Sequence, residues 1–451
     1  MKQEVKNKLP KILIISETFK SNTGGGITLS NLFKDYPKEL LANAIEGYFI
    51  KFIESEEICD NFYSLGHKEK KIFKLFSFLF PKYPSGKYYF QKKPKENSKK
   101  ENYLKNNLKK RIILSFNSIL SFFGINHILI KWSISNDFGS WVNEFKPDFI
   151  YSQLGSLEMM RFTNDLVKYS GAKLAIHIMD DWPSVIGNHG LFKWYWNKKV
   201  DIEFKNCISN ATILMSISEG MSKEYLNRYK AFFAPFHNPI DVKYWLNFTK
   251  KNLNISHKYV KVLYAGRIGL GTSHSLLDVA EAIEELNNDG FNIEFYIQTT
   301  SIENKLNNKL KKYNCIIQNP EVKYSELPQI FSTADILVMP IDFNRKGIEF
   351  LKFSMPTKAS EFMISGTPIL LYCSKEVFLY DHANRNGWAY IVSENKLTIL
   401  KNGIIELIQN MKIRENLNHT SLKYAKENYD LNIVRKKFIN LFISNYTGIE
   451  Y

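Results

Sequence analysis

Cysteine is scarce in this chain. Its 451 residues hold four, Cys59, Cys207, Cys315 and Cys373, far apart and with no C-x-x-C pair. That argues against a disulfide framework or a zinc site and fits a reducing cytoplasm. Long apolar runs are missing as well. The opening MKQEVKNKLPKILIISETF has too short an apolar run for a signal-peptide core. The best candidate for a membrane span, residues 112–130, is interrupted by Ser115, Asn117, Ser118, Ser121, Asn126 and His127. A span needs about 20 predominantly apolar residues. Ile112, Ile113, Phe116, Ile119, Leu120 and Phe123 recur there at helical spacing, so an amphipathic helix on a surface fits better. Internal repeats are not visible, and no nucleic-acid-binding motif is recognisable.

Acidic residues are in deficit: 45 Asp and Glu stand against 61 Lys and Arg, a net charge of +16. From Lys68 to Arg111, 15 basic residues meet only Glu69, Glu96 and Glu101, a net of +12. The excess therefore belongs to one segment, either a solvated face or a contact for an anionic partner. What the chain has in plenty is apolar material, 44% hydrophobic and 14% aromatic, enough for large cores. Its length implies two domains.

Short apolar runs alternate with helical stretches. KILIIS (11–16) reads as a strand, ETFKSNTGGG as a loop and ITLSNLFKDY as a helix, which together open a βα unit. AIEGYFI (44–50) reads as a second strand. A basic, amphipathic insert over about 67–130 then interrupts the rhythm. Strands resume at 148–154, 173–179, 211–218 and 231–236. HNPIDVKYW (237–245) is a turn-rich junction. Beyond it, strands read at 261–268, 291–298, 315–320, 335–342, 367–372 and 388–392. Two such blocks predict an α/β fold of two doubly wound, Rossmann-like parallel sheets, over 1–240 and 256–430, facing a central cleft. The last stretch, 431–451, reads as a helix that returns to the first domain.

One short stretch carries chemistry. In SMPTKASEFMISGTPILL a helix over 356–366 would pack Ala359, Phe362, Met363 and Gly366 on a sheet. Ser354 is placed to cap it and Pro356 suits its first turn. Lys358 and Glu361 share another face. Free N–H groups at a helix start favour an anion, and a lysine in the first turn adds charge. A carboxylate one turn deeper can accept from two adjacent hydroxyls. A plain i, i+3 ion pair is the competing reading. The preceding DFNRKGIEFLKF reads as a long loop.

PTKASEFMISGTPIL resembles the donor-site signature of retaining glycosyltransferases of family 4, which have the GT-B fold. YAGRIGLG (264–271), FHNPID (236–241), SNTGGGIT (21–28) and HIMDDWP (177–183) resemble further segments of that family, the last one in members that build bacterial surface polysaccharides. The order is the family's, and only 51–147 matches weakly. The resemblance implies that Arg267 and Lys358 neutralise a donor diphosphate and that Glu361 binds ribose hydroxyls. It implies that Gly24, Gly25 and Gly26 let the first loop approach the diphosphate or acceptor, and that His177 faces the transferred sugar. Gly266, Thr357, Asp180 and Asp181 join the substrate-binding set. Ser365, Gly366 and Thr367 would make the turn that packs the helix. Two departures stand out: Phe353 occupies the position of a frequent second glutamate, and RIGLGTSHSLL lacks the usual lysine.

The expectation is a retaining hexosyltransferase, cytoplasmic and peripheral to the inner face of the cell membrane. It would use a nucleotide-diphosphate sugar, no cofactor and no essential metal. Its acceptor would be a glycan or lipid-linked glycan of a surface polysaccharide, and its insert would meet an anionic membrane surface. No nucleic acid is expected. A nucleotide-sugar epimerase of the same fold is the alternative within enzymes. A nucleic-acid-binding protein or an inactive scaffold is the alternative outside them.

Overall fold

The computed structural model describes residues 9–15, 17–19, 24–53, 57–73, 77, 80–89, 122, 124, 126–187, 190–255, 258–299, 302–320 and 322–449. Most of the basic insert, 90–121 with the greater part of the amphipathic stretch, lies outside them. Two compact units emerge. Unit 1 comprises the chain up to Pro235 together with the chain from Lys437, and unit 2 is Phe236–Lys436.

In chain order the strands of unit 1 are β1 (Ile12–Ile15), β2 (Leu41–Glu46), β3 (Phe62–Leu65), β4 (Lys70–Ile72), β5 (Gly86–Tyr88), β6 (Ile130–Trp132), β7 (Phe149–Ser152), β8 (Lys173–Ile178), β9 (Ala211–Ser216) and β10 (Ala234–Pro235). Eight of them form one sheet in the order β10-β9-β8-β7-β1-β2-β3-β5. Every pairing is parallel except β3 with β5 at the edge. β1 and β7 are buried along their whole length. Both faces of a parallel sheet are covered, so such strands read as unbroken apolar runs. β4 and β6 pair antiparallel with each other, tying the two ends of the insert together.

Unit 2 contains β11 (Val260–Ala265), β12 (Ile293–Gln298), β13 (Ile316–Asn319), β14 (Ile336–Pro340), β15 (Ile369–Tyr372) and β16 (Tyr390–Val392). The order β13-β12-β11-β14-β15-β16 is a doubly wound sheet whose winding reverses between β11 and β14. Alternate residues feed two cores. Leu263, Leu337 and Leu371 pack with Phe362 and Trp388 on one face. Val262, Val338 and Leu370 pack with Leu276 and Leu400 on the other.

Three expectations need correction. The second strand is 41–46, not 44–50. Asn43 sits fully buried in it because its amide donates to the Ile14 and Glu17 carbonyls at 3.1 and 2.8 Å, and its oxygen accepts from Thr18 at 2.6 Å. The segment read as a long loop before the signature helix contains a helix, Arg345–Leu351. Asn344 caps it by accepting from the Gly347 N–H at 2.9 Å. The run at 231–236 contributes only the two residues of β10. Among the described residues no helix is long and apolar enough to cross a membrane.

Candidate functional site

In a doubly wound sheet the ligand crevice lies beyond the carboxyl ends of the strands where the winding reverses. In unit 2 those ends are Ala265, followed by Gly266 and Arg267, and Pro340, followed by Ile341 and Asp342. Besides Arg345–Leu351, two helices start near this point. The first, Ser273–Asn288, has its leading N–H groups engaged: those of His274 and Ser275 both donate to Asp342 Oδ1 at 2.9 Å. The second is the signature helix, Thr357–Ser365. Its N-cap is Pro356 and no side chain caps it, so Ser354 does not take the expected role. Proline at that position carries no hydroxyl to offer.

Lys358 and Glu361 form no ion pair, although they lie one turn apart. The Lys358 ammonium lies over the Tyr264 ring, 4.8 Å from its centroid. It also occupies the space that a Cβ on Gly266 would need. Gly266 has φ +138°, so the position demands glycine for conformation and for space. The Arg267 side chain is exposed, and its carbonyl accepts from the Tyr264 hydroxyl at 2.7 Å. Thr357 is the half-buried first residue of the helix. Gly366 ends the helix in the left-handed region, φ 70°, and its carbonyl accepts from Asn418 at 2.6 Å. The Thr367 hydroxyl donates to the Phe331 carbonyl at 2.8 Å, fixing the turn into β15.

Glu361 is 4% exposed and accepts from the Tyr324 hydroxyl at 2.6 Å. Burial pushes its carboxyl up to about 7, against the opposing pulls of that hydrogen bond and of Lys358. At the position of the frequent second glutamate, Phe353 has the Lys352 ammonium 5.5 Å from its ring centroid. The nearest upstream carboxylate, Glu349, is held by Arg345 at 2.7 Å.

Unit 1 has its own reversal, between β1 and β7. Here Gly24, Gly25 and Gly26 are not a loop. They form the first turn of the helix Gly24–Phe33, three residues earlier than the apolar pattern indicates. Backbone N–H groups at a helix start have no intrahelical partner. A side chain on Gly25 would come within 3.0 Å of both Gln153 Oε1 and Glu17 Oε2. His177, near the end of β8, is fully buried, with Nδ1 2.8 Å from the Tyr151 hydroxyl. Asp181 accepts from the Tyr225 hydroxyl at 2.7 Å and from Arg228 at 3.1 Å, which ties it to the Glu219–Tyr229 helix. Neighbouring Asp180 is half-buried, and its carbonyl accepts the Trp182 N–H at 2.6 Å.

Sequence reasoning missed Glu17, Tyr151, Gln153, Tyr324 and Asp342. Gln153 follows directly on a buried strand and Asp342 lies two residues beyond one, a signal the sequence offers. Tyr324 gave none, because nothing local connects residue 324 to residue 361. Among the described residues no group of three or more His, Cys, Asp or Glu is placed to hold a metal ion.

No protein-family model matches the sequence, and no curated protein matches it. The structure does match solved ones. Sucrose-phosphate synthase from Thermosynechococcus elongatus superimposes with a TM-score of 0.63 at 13% identity, over 97% of this chain and 99% of the other. A glycosyltransferase from Rickettsia africae gives 0.60 at 14% identity, over 97% and 99%. HepE from Anabaena in complex with UDP-glucose gives 0.60 at 11% identity, over 98% and 100%. At these identities the likeness establishes architecture, and the architecture is that of the GT-B glycosyltransferases: this chain has the GT-B fold.

Proposed function

We propose that the protein is a glycosyltransferase using a nucleotide-diphosphate sugar. The observation that carries the reading is the arrangement at the β11–β14 reversal. An uncapped helix start, a lysine ammonium and an exposed arginine lie there with a buried carboxylate one turn deeper. Diphosphate at the helix tip and ribose hydroxyls at Glu361 match that spacing of cation and acceptor. The neighbour HepE binds UDP-glucose, which makes UDP-sugars the first donors to try. Arg267, Lys358 and the helix N–H groups stabilise the charge that develops on the departing diphosphate, as preorganised electrostatics requires. In unit 1, the turn at Gly24–Gly26 serves the acceptor and His177 the transferred sugar. Transfer proceeds with retention and without an essential metal, to a glycan or lipid-linked glycan of a bacterial surface polysaccharide.

The reading includes an anionic membrane surface. It is supported by the net +12 between Lys68 and Arg111. It is also supported by Leu191, Phe192, Trp194 and Tyr195, four consecutive apolar positions but for Lys193, which are 56, 43, 68 and 40% exposed. Aromatic residues beside lysines suit the boundary between headgroups and acyl chains.

The test is release of UDP from UDP-sugars with and without glycan acceptors, with the anomeric configuration of the product read by NMR. Acceptor-dependent release with retention, unaffected by EDTA, supports the reading. A changed sugar nucleotide without release identifies an epimerase instead, and activity lost to EDTA and restored by Mn²⁺ overturns the metal-free mechanism.

A further inference from the structure

We propose that Tyr324 is a positioning residue of the donor site: its hydroxyl holds one oxygen of Glu361 so that the other is presented to a ligand diol. The inference rests on the reading of Glu361 given above. Tyr324 opens a short 3₁₀ turn, Tyr324–Glu326, downstream of β13. The turn is pinned on both sides. The Lys323 N–H donates to Glu326 Oε2 at 2.7 Å, and the Ser325 carbonyl accepts from the Tyr244 hydroxyl at 2.8 Å. The tyrosine therefore has a fixed origin from which to reach Glu361 Oε1 at 2.6 Å, across 37 residues of sequence.

A carboxylate has two oxygens and about four acceptor positions. Among the described residues Tyr324 is the only hydrogen-bond donor to Glu361, although the side chain is nearly inaccessible. Buried carboxylates are ordinarily well supplied with donors. Acceptor capacity in a buried place beside a lysine suits two neighbouring hydroxyls of a ligand. Without Tyr324 the carboxylate would lose its anchor and much of what keeps it ionised. The titratable groups acting on it are Tyr324, from the turn before the Leu327–Thr333 helix, and Lys358, from its own helix. Among the described residues no other titratable group acts on it.

The experiment measures uridine diphosphate affinity by calorimetry from pH 6 to pH 9 for the wild type, Tyr324→Phe and Glu361→Gln. The phosphates titrate equally in all three, so the ratios isolate the protein. A lost hydrogen bond to a charged group corresponds to a shift of about one pH unit in the ionisation of Glu361. From a starting point of about 7, Tyr324→Phe then binds about fivefold more weakly at pH 7 and nearly as well as the wild type at pH 9. Equal weakening at every pH, no weakening, or tighter binding overturns the positioning role. The last of these would mean that the hydroxyl competes with the ligand. Glu361→Gln separates the two readings. If it binds like the wild type at every pH, the diol assignment of Glu361 fails. If it binds more weakly than the wild type at pH 9, where Glu361 is ionised, while Tyr324→Phe is unchanged at every pH, only the tyrosine proposal fails. Thermal melts of Tyr324→Phe, which keeps the ring, should match the wild type within a few degrees, and a collapse there would assign the residue a packing role.

Discussion

Glu361 does two opposed things. Its raised pKa means that the unfolded chain releases this proton near pH 4.5 and the folded chain only near 7. Below about pH 4.5 the group is protonated in both states and has no effect. Between 4.5 and 7 the folded state binds more protons, so stability falls as pH rises. Above 7 the full penalty applies, on the order of 3 kcal/mol at 1.36 kcal/mol per pH unit. Glu361→Gln keeps shape and removes the penalty. We expect this variant to melt at the wild-type temperature at pH 4.5 and clearly higher at pH 8, while its affinity for uridine diphosphate falls by roughly 1–3 kcal/mol. Scanning calorimetry at the two pH values checks the first part. Equal melting at both would remove the case for a carboxylate held at a cost to stability. Such a residue is hard to explain by packing alone and easy to explain by a ligand.

At the scale of elements, two neighbouring helix starts differ, and Asp342 closes one of them. It takes the N–H groups of His274 and Ser275 in the first turn of Ser273–Asn288, whereas Thr357–Ser365, with Pro356 as its N-cap, has no side-chain cap. Asp342→Ala should lower stability by about 2 kcal/mol, as expected for loss of a buried cap. Urea denaturation checks this, and a loss below about 0.5 kcal/mol would deny Asp342 the capping role. Much of this level was legible in the sequence. ILII, FIYS, ILVMP and ILLY are strands buried on both faces, so hydrophobicity alone marks them. What escaped was set by contacts distant in sequence. Asn43 looks like a strand breaker until the chain leaving β1 supplies its partners. The glycines at 24–26 look like a loop because their helical start lies beside Glu17 and Gln153, not within the local pattern. The Lys358–Glu361 spacing was visible, but the partner of each, Tyr264 and Tyr324, was not.

For the whole molecule, charge and exposed apolar surface make one prediction together. Vesicles containing anionic lipid should bind the protein, and salt should release only part of it. On such vesicles the basic block would contribute about 1 kcal/mol per residue near the surface, screened within a Debye length. The salt-resistant part should come from Phe192 and Trp194. A double Phe192→Ser, Trp194→Ser variant should therefore be released completely by salt in co-sedimentation, whereas the wild type is not. Identical release of both proteins would make that aromatic run an ordinary surface.

The helix Leu431–Thr447 begins in unit 2 and ends in unit 1. Within unit 1, Phe438 and Phe442 meet Phe33 with ring centroids 5.1 and 6.5 Å apart, and Phe442 also meets Phe149 at 5.3 Å. This has a consequence in time. When unit 1's strands have left the ribosome, the aromatic residues that cover Phe33 and Phe149 do not yet exist. About 200 residues of unit 2 must be synthesised first, roughly 10–40 s at about 5–20 residues per second. Unit 2 is continuous in sequence and can fold as it emerges. Unit 1 must wait with an apolar face uncovered, so of the two units the one begun earlier is the later to be finished.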